Sequence, residues 1–475
     1  MTRAVAIVVL AGALLLAAAA PTHAATRLVR GNDGPWLSYG HDDQLSNAVV
    51  SRILDAQTVP RLGERWAAPL DGLVAASPLY AEPDVGGVRT GVVYVGTEHG
   101  SVYALAAGDG HVLWERSGTP TVIGACGEFP FGISSTGAID RGRNLFYSVG
   151  ADGLLHAFDL ATGEDAPGYP VQVVASPLDQ YVWGGLRIVG STLYVPVASF
   201  CDQLDASGLF PDGGLVAVDL ADPSQQRFFD AVPGVGNGGG IWGYGGVSVE
   251  PGGRLLYVGV GNSHVYDASC DCFRDDVPNG DRMVALTPDL EVVDSDYPPG
   301  INPEGDQDFG AAPSLFQPHG CPPVAAANSK DGLLYVWRRT NLAAGPVKSL
   351  GIGDGQSAFV GQPSWSSRLQ MLFDGEAGSN RGNGVAAIKF SYQGCEFGEL
   401  WRTAIGAGNQ APPLVVNDVV FSGGGREGLF GLDARTGKVI WSAGTDGALT
   451  LAPLIEARGT IFAPAGSELR AYSLP

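Results

Sequence analysis

The chain has 475 residues with 49 acidic against 28 basic side chains, a formal net charge of −21, and it contains 70 glycines and 32 prolines. Its hydrophobic share of 45% is too high for a disordered protein, and glycine and proline at this density disrupt helices. The acidic balance excludes non-specific binding to nucleic acid and disfavours docking on anionic lipid. A turn-rich, all-β protein with a sizeable core fits best.

The N-terminal segment has the pattern of a secretory signal peptide. Arg3 precedes an apolar run over residues 4–20, and residues 22–24 supply small side chains at the cleavage positions. A single membrane anchor is the weaker alternative, because the run is slightly short and a cleavage signal follows at once. We expect cleavage after Ala24, export to the periplasm or the exterior, and a mature chain of residues 25–475 that does not insert into the membrane.

All the cysteines fall in this mature part, at Cys126, Cys201, Cys270, Cys272, Cys321 and Cys395. An even number of cysteines in an oxidising compartment predicts up to three disulfides, and the sequence leaves the choice of pairing open. No second cysteine pair or suitably spaced histidine accompanies Cys270 and Cys272, so a zinc site is not indicated. The chain also has no Cys-x-x-Cys-His segment, so we expect no covalently attached c-type haem.

A repeat runs through the mature chain. Residues 91–115, 144–164 and 417–444 each contain an apolar strand, a glycine-centred turn, a second apolar strand that ends near Asp, and a Thr-Gly or Asp-Gly turn. With weaker copies, the second strand recurs eight times, around Tyr103, His156, Ala217, Val284, Tyr335, Ala387, Gly431 and Ala471. Four-stranded repeats near this period are typical of a β-propeller.

The two ends of the chain predict how the ring closes. The last copy, residues 467–475, has no outer strand after it, whereas residues 61–70 form a tryptophan-bearing outer strand with nothing before it. If both ends share one blade, the ring closes and an exposed sheet edge disappears. We therefore predict one all-β domain over residues 25–475, a single propeller of eight four-stranded blades.

The repeat resembles that of a known family. The stretch GLDARTGKVIW (431–441) is similar to the repeat of pyrroloquinoline quinone (PQQ) propellers, and WLSYGHDDQLSN…LGERW (36–66) resembles the opening of PQQ-dependent alcohol dehydrogenases. Non-enzymatic propellers share the repeat, including the bacterial outer-membrane assembly propeller. The resemblance extends over essentially the whole mature chain.

The resemblance implies two contacts for a cofactor within residues 238–262. Trp242 matches the tryptophan whose indole forms the floor under the quinone, and a flat tricyclic anion suits a flat apolar platform. Asn262 matches the asparagine whose amide oxygen binds calcium, a hard cation that prefers oxygen ligands. Taken alone, Trp242 also fits a packed blade residue, and Asn262 fits a turn.

Two further segments resemble the parts of the family's site that carry charge. In residues 304–316, Asp308 best matches the catalytic carboxylate, with Asp306 second; a base must take the hydroxyl proton as hydride leaves the carbon. In residues 328–340, Lys330 matches the cation that donates to the quinone oxygens. Because Trp242, Asn262, Asp308 and Lys330 come from different repeats, only a shared central site would bring them together.

The sequence also departs from the family. Cys126 stands alone where the family has adjacent cysteines beside the quinone, and no arginine follows it before Arg141. Where the family has a calcium-binding Glu, residues 197–208 contain no Glu, and Asp202 is the candidate substitute, with a shorter side chain. Cys201 lies beside it, so a Cys126–Cys201 disulfide is a candidate replacement for the vicinal ring.

Two functions therefore stay open. One is an exported quinoprotein dehydrogenase that uses PQQ and calcium to oxidise a hydroxyl of a small-molecule or polymeric alcohol or sugar, and that passes electrons to an external acceptor. The other is a non-catalytic scaffold, like the outer-membrane assembly propeller, that binds protein or polymer. The missing Glu, Arg and second Cys favour the scaffold, and the ordered set of site matches favours the enzyme.

Overall fold

Eight antiparallel sheets follow one another along the chain, as the repeat predicts. The computed structural model describes residues 1, 31, 33–122, 130–200, 202–234, 236–274, 277–302, 305–353, 361–376, 384–391, 394–406, 411–447 and 452–475. Apart from Met1, the predicted signal peptide lies outside these residues. Within the described part, no helix combines the length and the apolar character that a membrane span requires.

Seven of the sheets, blades 1 to 7, are built from strands that are consecutive in sequence apart from short inserted hairpins. The strands of blades 1 to 4 are Leu79–Ala81, Val92–Gly96, Val102–Ala106 and Val112–Arg116; Ala138–Asp140, Leu145–Val149, Leu154–Asp159 and Val171–Gln172; Arg187–Val189, Thr192–Ser199, Gly214–Asp219 and Gln226–Asp230, with Gln180–Tyr181 added; and Ser248–Val249, Leu256–Gly259, Met283–Leu286 and Val292–Asp296. The strands of blades 5 to 7 are Ser314–Phe316, Val324–Asn328, Leu333–Arg338 and Lys348–Gly351; Ser364–Ser366, Met371–Glu376, Gly384–Ser391 and Glu396–Ala404; and Leu414–Val416, Val419–Gly423, Leu429–Asp433 and Val439–Ala443, with Ala48–Val49 added. The remaining elements are the hairpins Asp84–Val85 with Val88–Arg89 and Tyr266–Asp267 with Cys272–Phe273, and the 3-10 helices Val59–Arg61 and Leu342–Ala344.

Blade 8 joins the two ends of the chain and confirms the predicted closure. Its strands are Ile455–Ala457, Thr460–Ala465, Glu468–Ser473 and, outermost, Gly63–Pro69. Gly63–Pro69 pairs antiparallel with Glu468–Ser473, and Trp66 lies opposite Ala471. The ring is thus closed by backbone hydrogen bonds between segments that are about 400 residues apart, which leaves no unpaired blade edge at the seam.

Tryptophans on the outer strands explain why the repeat carries Thr-Gly before its Trp. The indole N–H groups of four of them donate over 3.0–3.2 Å to carbonyl groups that lie before the outer strand of the next blade; these are Trp66, Trp114, Trp401 and Trp441. The turn glycine of the next blade lies directly against the ring. A Cβ atom on Gly437, at φ +70°, would lie 2.6 Å from the indole of Trp401, so only glycine fits both the turn and the contact.

An N-terminal strap, residues 36–51, runs across the first strands of the blades. Its hydrogen-bond partners, from blade 1 to blade 8, are Tyr80, Ile139, Arg187, Val249, Leu315, Trp365, Val415 and Glu456. The buried guanidinium of Arg187 donates to the carbonyl groups of Tyr39 and Asp42. The strap therefore ties the blades together independently of the shared blade.

Two disulfides are present in the described part of the chain. Cys321–Cys395 joins blade 5 to blade 6 across 74 residues, with Cα atoms 6.0 Å apart, and Cys270–Cys272 closes a hairpin of blade 4. Cys126 and Cys201 lie outside the described residues, so their proposed pairing stays a prediction.

Candidate functional site

The predicted site residues leave the blades at one end of the ring. In an antiparallel blade, the segment before the first strand and the segment after the second strand lie at the same end. Trp242 and Asp308 precede the first strands of blades 4 and 5, and Asn262 and Lys330 follow the second strands of the same blades. The four come from two neighbouring blades, with two residues from each, and adjacent blades suffice to bring them together.

Asp308 is the buried centre of the cluster. One carboxylate oxygen accepts a 2.6 Å hydrogen bond from the indole N–H of Trp242, and the other lies 2.7 Å from the ammonium of Lys330. Burial raises the pKa of Asp308, and the charge of Lys330 opposes that shift. The hydrogen bond from Trp242 places the carboxylate at the N–H edge of the indole.

Gly261 explains how the carboxylate and the indole pack so closely. A Cβ atom at this position would lie 3.0 Å from both the Asp308 carboxylate and the Trp242 ring, and 2.9 Å from the carbonyl oxygen of Gly240. The glycine before Asn262 is therefore part of the site's construction, since any side chain there would push the indole and the carboxylate apart.

Lys330 covers the face of the indole and bridges both aspartates. Its ammonium lies 4.5 Å from the centre of the Trp242 ring and 2.6 Å from Asp306, in addition to its contact with Asp308. Burial alone would lower the pKa of Lys330, but the two carboxylates outweigh it and hold that pKa above its usual value. A cation fixed over an aromatic face can bind an anionic planar group there.

Asn262 offers an oxygen atom to a ligand. Its amide N–H donates to Asp306 over 2.9 Å, which orients the side chain. Its amide oxygen is shielded from solvent and has no hydrogen-bond partner in the described residues. An unpaired buried oxygen is costly unless something binds it, and an amide oxygen is a ligand that calcium accepts.

Asp202 lies at the edge of this cluster rather than in its centre. It accepts a 2.6 Å hydrogen bond from Ser199, and one of its oxygens lies 3.8 Å from Nε2 of His264. Burial alone would raise the pKa of Asp202, but His264, Ser199 and the charge of Lys330 together hold it below its usual value. The described residues contain no group of three or more His, Cys, Asp or Glu side chains arranged to hold a metal, so calcium would depend on the Asn262 oxygen with few carboxylate partners.

Several residues at this end were not predicted. Asp281 is buried, accepts from Ser263 over 2.9 Å, and has a pKa raised to about 7 by burial, with the charge of Asp308 adding to it. His264 stacks on Phe210 with ring centres 3.7 Å apart. Glu98 is also buried and accepts a 2.6 Å hydrogen bond from the hydroxyl of Ser134, and burial raises its pKa to about 7.

The predicted cofactor contact at Cys126 lies outside the described residues. Three described residues at this end of the ring form an aromatic group: Phe131 lies 5.3 Å from Trp183, and Phe200 stacks on Trp183 at 6.1 Å between ring centres. Trp183 donates its indole N–H to the carbonyl of Ser199 over 3.2 Å, which links this group to Asp202.

Comparison with known proteins gives both enzymatic and non-enzymatic relatives. The family model for the outer membrane protein assembly factor BamB matches residues 63–173 and 398–474. The quinohemoprotein alcohol dehydrogenases ADH IIB and ADH-IIG of Pseudomonas putida are 25% and 27% identical to this chain, over 70% and 54% of it. The alignments cover 50% and 37% of those enzymes, so the chain spans about half or less of their length.

Solved structures share the fold at low identity. The quinohemoprotein alcohol dehydrogenase ADHIIG of Pseudomonas putida HK5 superposes with a TM-score of 0.70 at 16% identity, covering 93% of this chain and 80% of the enzyme. A europium-containing methanol dehydrogenase gives 0.68 at 14% identity, over 93% and 98%. BamB of Moraxella catarrhalis gives 0.53 at 14% identity, over 87% and 97%. The resemblance to the PQQ-repeat propellers, with the PQQ-dependent alcohol dehydrogenases among them, is confirmed.

Proposed function

We propose, starting from the resemblance to the PQQ-dependent alcohol dehydrogenases, that this protein is an exported dehydrogenase that oxidises an alcohol or sugar hydroxyl with PQQ and calcium. The electrons then pass to an external acceptor. The observation that carries the proposal is the cluster in which Lys330 lies over Trp242 and is paired with Asp308, beside the unpartnered oxygen of Asn262.

The chemistry of this cluster fits the cofactor. Trp242 would provide the apolar surface, Lys330 would donate to the quinone oxygens, and the amide oxygen of Asn262 would bind calcium, with Asp202 as a candidate carboxylate ligand. When bound, PQQ supplies an acceptor for the hydride that leaves the alcohol carbon. The protein has to orient the hydroxyl, exclude water and take the proton.

Asp308 is the residue we assign to the proton. The hydroxyl proton moves to a carboxylate oxygen as the carbon loses its hydride, so a carbonyl product and a protonated carboxyl group result. A pKa raised by burial makes this carboxylate a better base than an exposed aspartate, and Lys330 keeps it ionised until the proton arrives. Asp306, which shares Lys330, is the second candidate.

Reconstitution tests this proposal. The purified protein is loaded with PQQ and calcium chloride, and oxidation of a panel of primary alcohols, sugars and polyvinyl alcohol is followed with an artificial electron-accepting dye. We expect Asp308→Asn to lower the rate at least about a hundredfold, because general bases contribute about 10²–10⁴-fold. The exposed Asp222→Asn is the matched control and should leave the rate unchanged. Wild-type protein that oxidises none of these substrates would contradict the proposal.

Export is tested separately. Mass spectrometry of the protein recovered from a bacterial host should give a mature N-terminus at Ala25 in the periplasmic or extracellular fraction. An intact N-terminus in the membrane fraction would contradict export by a cleaved signal.

A scaffold function is the second candidate, and the BamB family model is the observation that favours it. The residues it matches, 63–173 and 398–474, contain none of the cluster around Trp242 and Lys330. In that case the repeat would serve as a binding surface for protein or polymer. Wild-type protein that gains no oxidation activity from PQQ and calcium in the experiment above would support this alternative.

A further inference from the structure

A cavity lies at the opposite end of the ring from the candidate site. It has a volume of about 320 Å³ and is bounded by the N-terminal strap and by blades 5 and 6. Its wall contains Arg339, which follows the third strand of blade 5, and Arg368, which lies between the first two strands of blade 6. We call it the strap cavity. Its volume is that of a small-ligand pocket.

Arg339 is the unusual member of this wall. It is only 8% exposed, and its Nε and Nη1 atoms are shielded from solvent and have no hydrogen-bond partner among the described residues. No ion pair to its guanidinium occurs in the described part of the chain. An arginine stays protonated in proteins, and a buried charge without a partner is strongly unfavourable. Glu250 lies close enough for its charge to favour the protonated guanidinium, but no hydrogen bond between the two side chains occurs in the described part of the chain. An anion from outside the chain would satisfy the N–H groups that the described residues leave unpaired.

The backbone fixes Arg339 in place. Its N–H donates to the carbonyl of Pro323 over 3.1 Å, and its carbonyl accepts from the hydroxyl of Tyr257 over 3.2 Å. These two hydrogen bonds attach the Arg339 backbone to blades 4 and 5, at the wall of the strap cavity.

The other charged groups at the strap cavity leave room for an anion. Arg368 uses one guanidinium nitrogen to donate to Asn417 over 3.1 Å, and the side chain is exposed at the mouth. Asp42 also lines the wall, but its oxygens accept from the backbone N–H groups of Gln44 and Ser46 at 3.1 and 3.0 Å. Those hydrogen bonds offset the negative charge of Asp42 within the strap.

We propose that the strap cavity binds a small oxyanion, of the phosphate or carboxylate class, which accepts hydrogen bonds from Arg339 and is retained by Arg368. The planar guanidinium fork matches the paired oxygens of either class. Because residues 42–50 of the strap form part of the wall, the bound anion also holds the strap against blades 5 and 6.

Calorimetric titration of the full protein tests the proposal. Inorganic phosphate and acetate are titrated in separate experiments at a constant ionic strength set with sodium chloride. We expect saturable binding of at least one of them, at one site per chain, and the preferred anion identifies the class. Arg339→Gln should weaken that binding about tenfold or more, since a hydrogen bond to a charged group contributes about 1.5–3 kcal/mol.

Two further variants keep the test decisive. Arg368→Gln should weaken binding by a smaller factor, and it serves alone if Arg339→Gln does not fold. Arg338→Gln removes the exposed arginine next to Arg339, which is outside the lining of the strap cavity, and this variant should bind as tightly as wild type. Absence of saturable binding in wild type, or equal weakening in Arg368→Gln and Arg338→Gln, overturns the proposal.

Discussion

Replacing Lys330 by methionine should reveal how strongly the buried ion pair holds the candidate site together. The Lys330 side chain is 11% exposed and that of Asp308 is 2% exposed, with 2.7 Å between the ammonium and the carboxylate. Removing one partner of such a pair leaves an uncompensated buried charge, which costs about 3–5 kcal/mol. Lys330→Met should therefore lower the free energy of unfolding by about that amount at pH 8.

The loss should depend on pH, and its sign follows from Asp308. Without Lys330, the folded pKa of Asp308 rises further above its unfolded value of about 3.9. As the pH rises, Asp308 therefore loses its proton in the unfolded chain at a lower pH than in the folded chain. The free energy of unfolding of the variant falls from about pH 4 up to the folded pKa of Asp308. The deficit relative to wild type should be smaller at pH 5 than at pH 8.

Urea unfolding followed by tryptophan fluorescence at both pH values measures this. The double variant Lys330→Met/Asp308→Asn should recover much of the lost stability. It should also lose most of the pH dependence that Lys330→Met adds, because no carboxylate remains to titrate at position 308. Lys348→Met is the matched control, since that ammonium is 37% exposed and 4.0 Å from its partner, and such pairs contribute about 0–1 kcal/mol. An equal loss in Lys330→Met and Lys348→Met, or a deficit that does not change with pH, would refute the reasoning.

Three further predictions concern the fold. Gly437→Ala should cost about 1–3 kcal/mol more than Gly190→Ala in urea unfolding, because both sites have positive φ but only the first would press a Cβ against an indole; equal losses would contradict the tryptophan contact. In wild type, the free energy of unfolding should fall by roughly 3 kcal/mol between about pH 4 and 7, because the Glu98 carboxyl group keeps its proton to a higher pH in the folded chain than in the unfolded one. Glu98→Gln should abolish this fall, and an unchanged pH profile would contradict the argument. Replacing Cys321 and Cys395 by serine should lower the free energy of unfolding by about 2–5 kcal/mol, whereas replacing Cys270 and Cys272 should lower it much less. The reason is that the cross-link around the longer loop removes more entropy from the unfolded chain. Equal losses in thermal unfolding would contradict this argument.

The architecture could be predicted because it is repeated in the sequence. Each copy carries the same strand and turn pattern, and the unmatched strands at residues 61–70 and 467–475 identify the shared blade. The strap could not be predicted in this way. It binds the blades largely through backbone groups, so residues 36–51 need no periodic pattern of side chains to do so.

The site could be predicted only in part, for a related reason. The resemblance picked out Trp242, Asn262, Asp308 and Lys330 because they stand in segments with a distinctive order of residues. Asp281 lacks such a context, and its burial depends on how a long acidic loop folds back over Ser263. The position of Asp308 at the N–H edge of the indole likewise depends on contacts between two loops, which local sequence does not specify.

Equilibrium dialysis of PQQ against the purified protein, with calcium or with a chelator, tests the central claim most directly. We predict that each chain binds one PQQ in the presence of calcium. This binding should weaken when calcium is removed or when Asn262 is replaced by alanine. We propose the Asn262 oxygen as a calcium ligand because it is shielded from solvent and has no hydrogen-bond partner in the described residues. Its loss should therefore reduce the calcium dependence as well as the affinity for PQQ. No binding of PQQ by wild-type protein at saturating calcium would contradict the account.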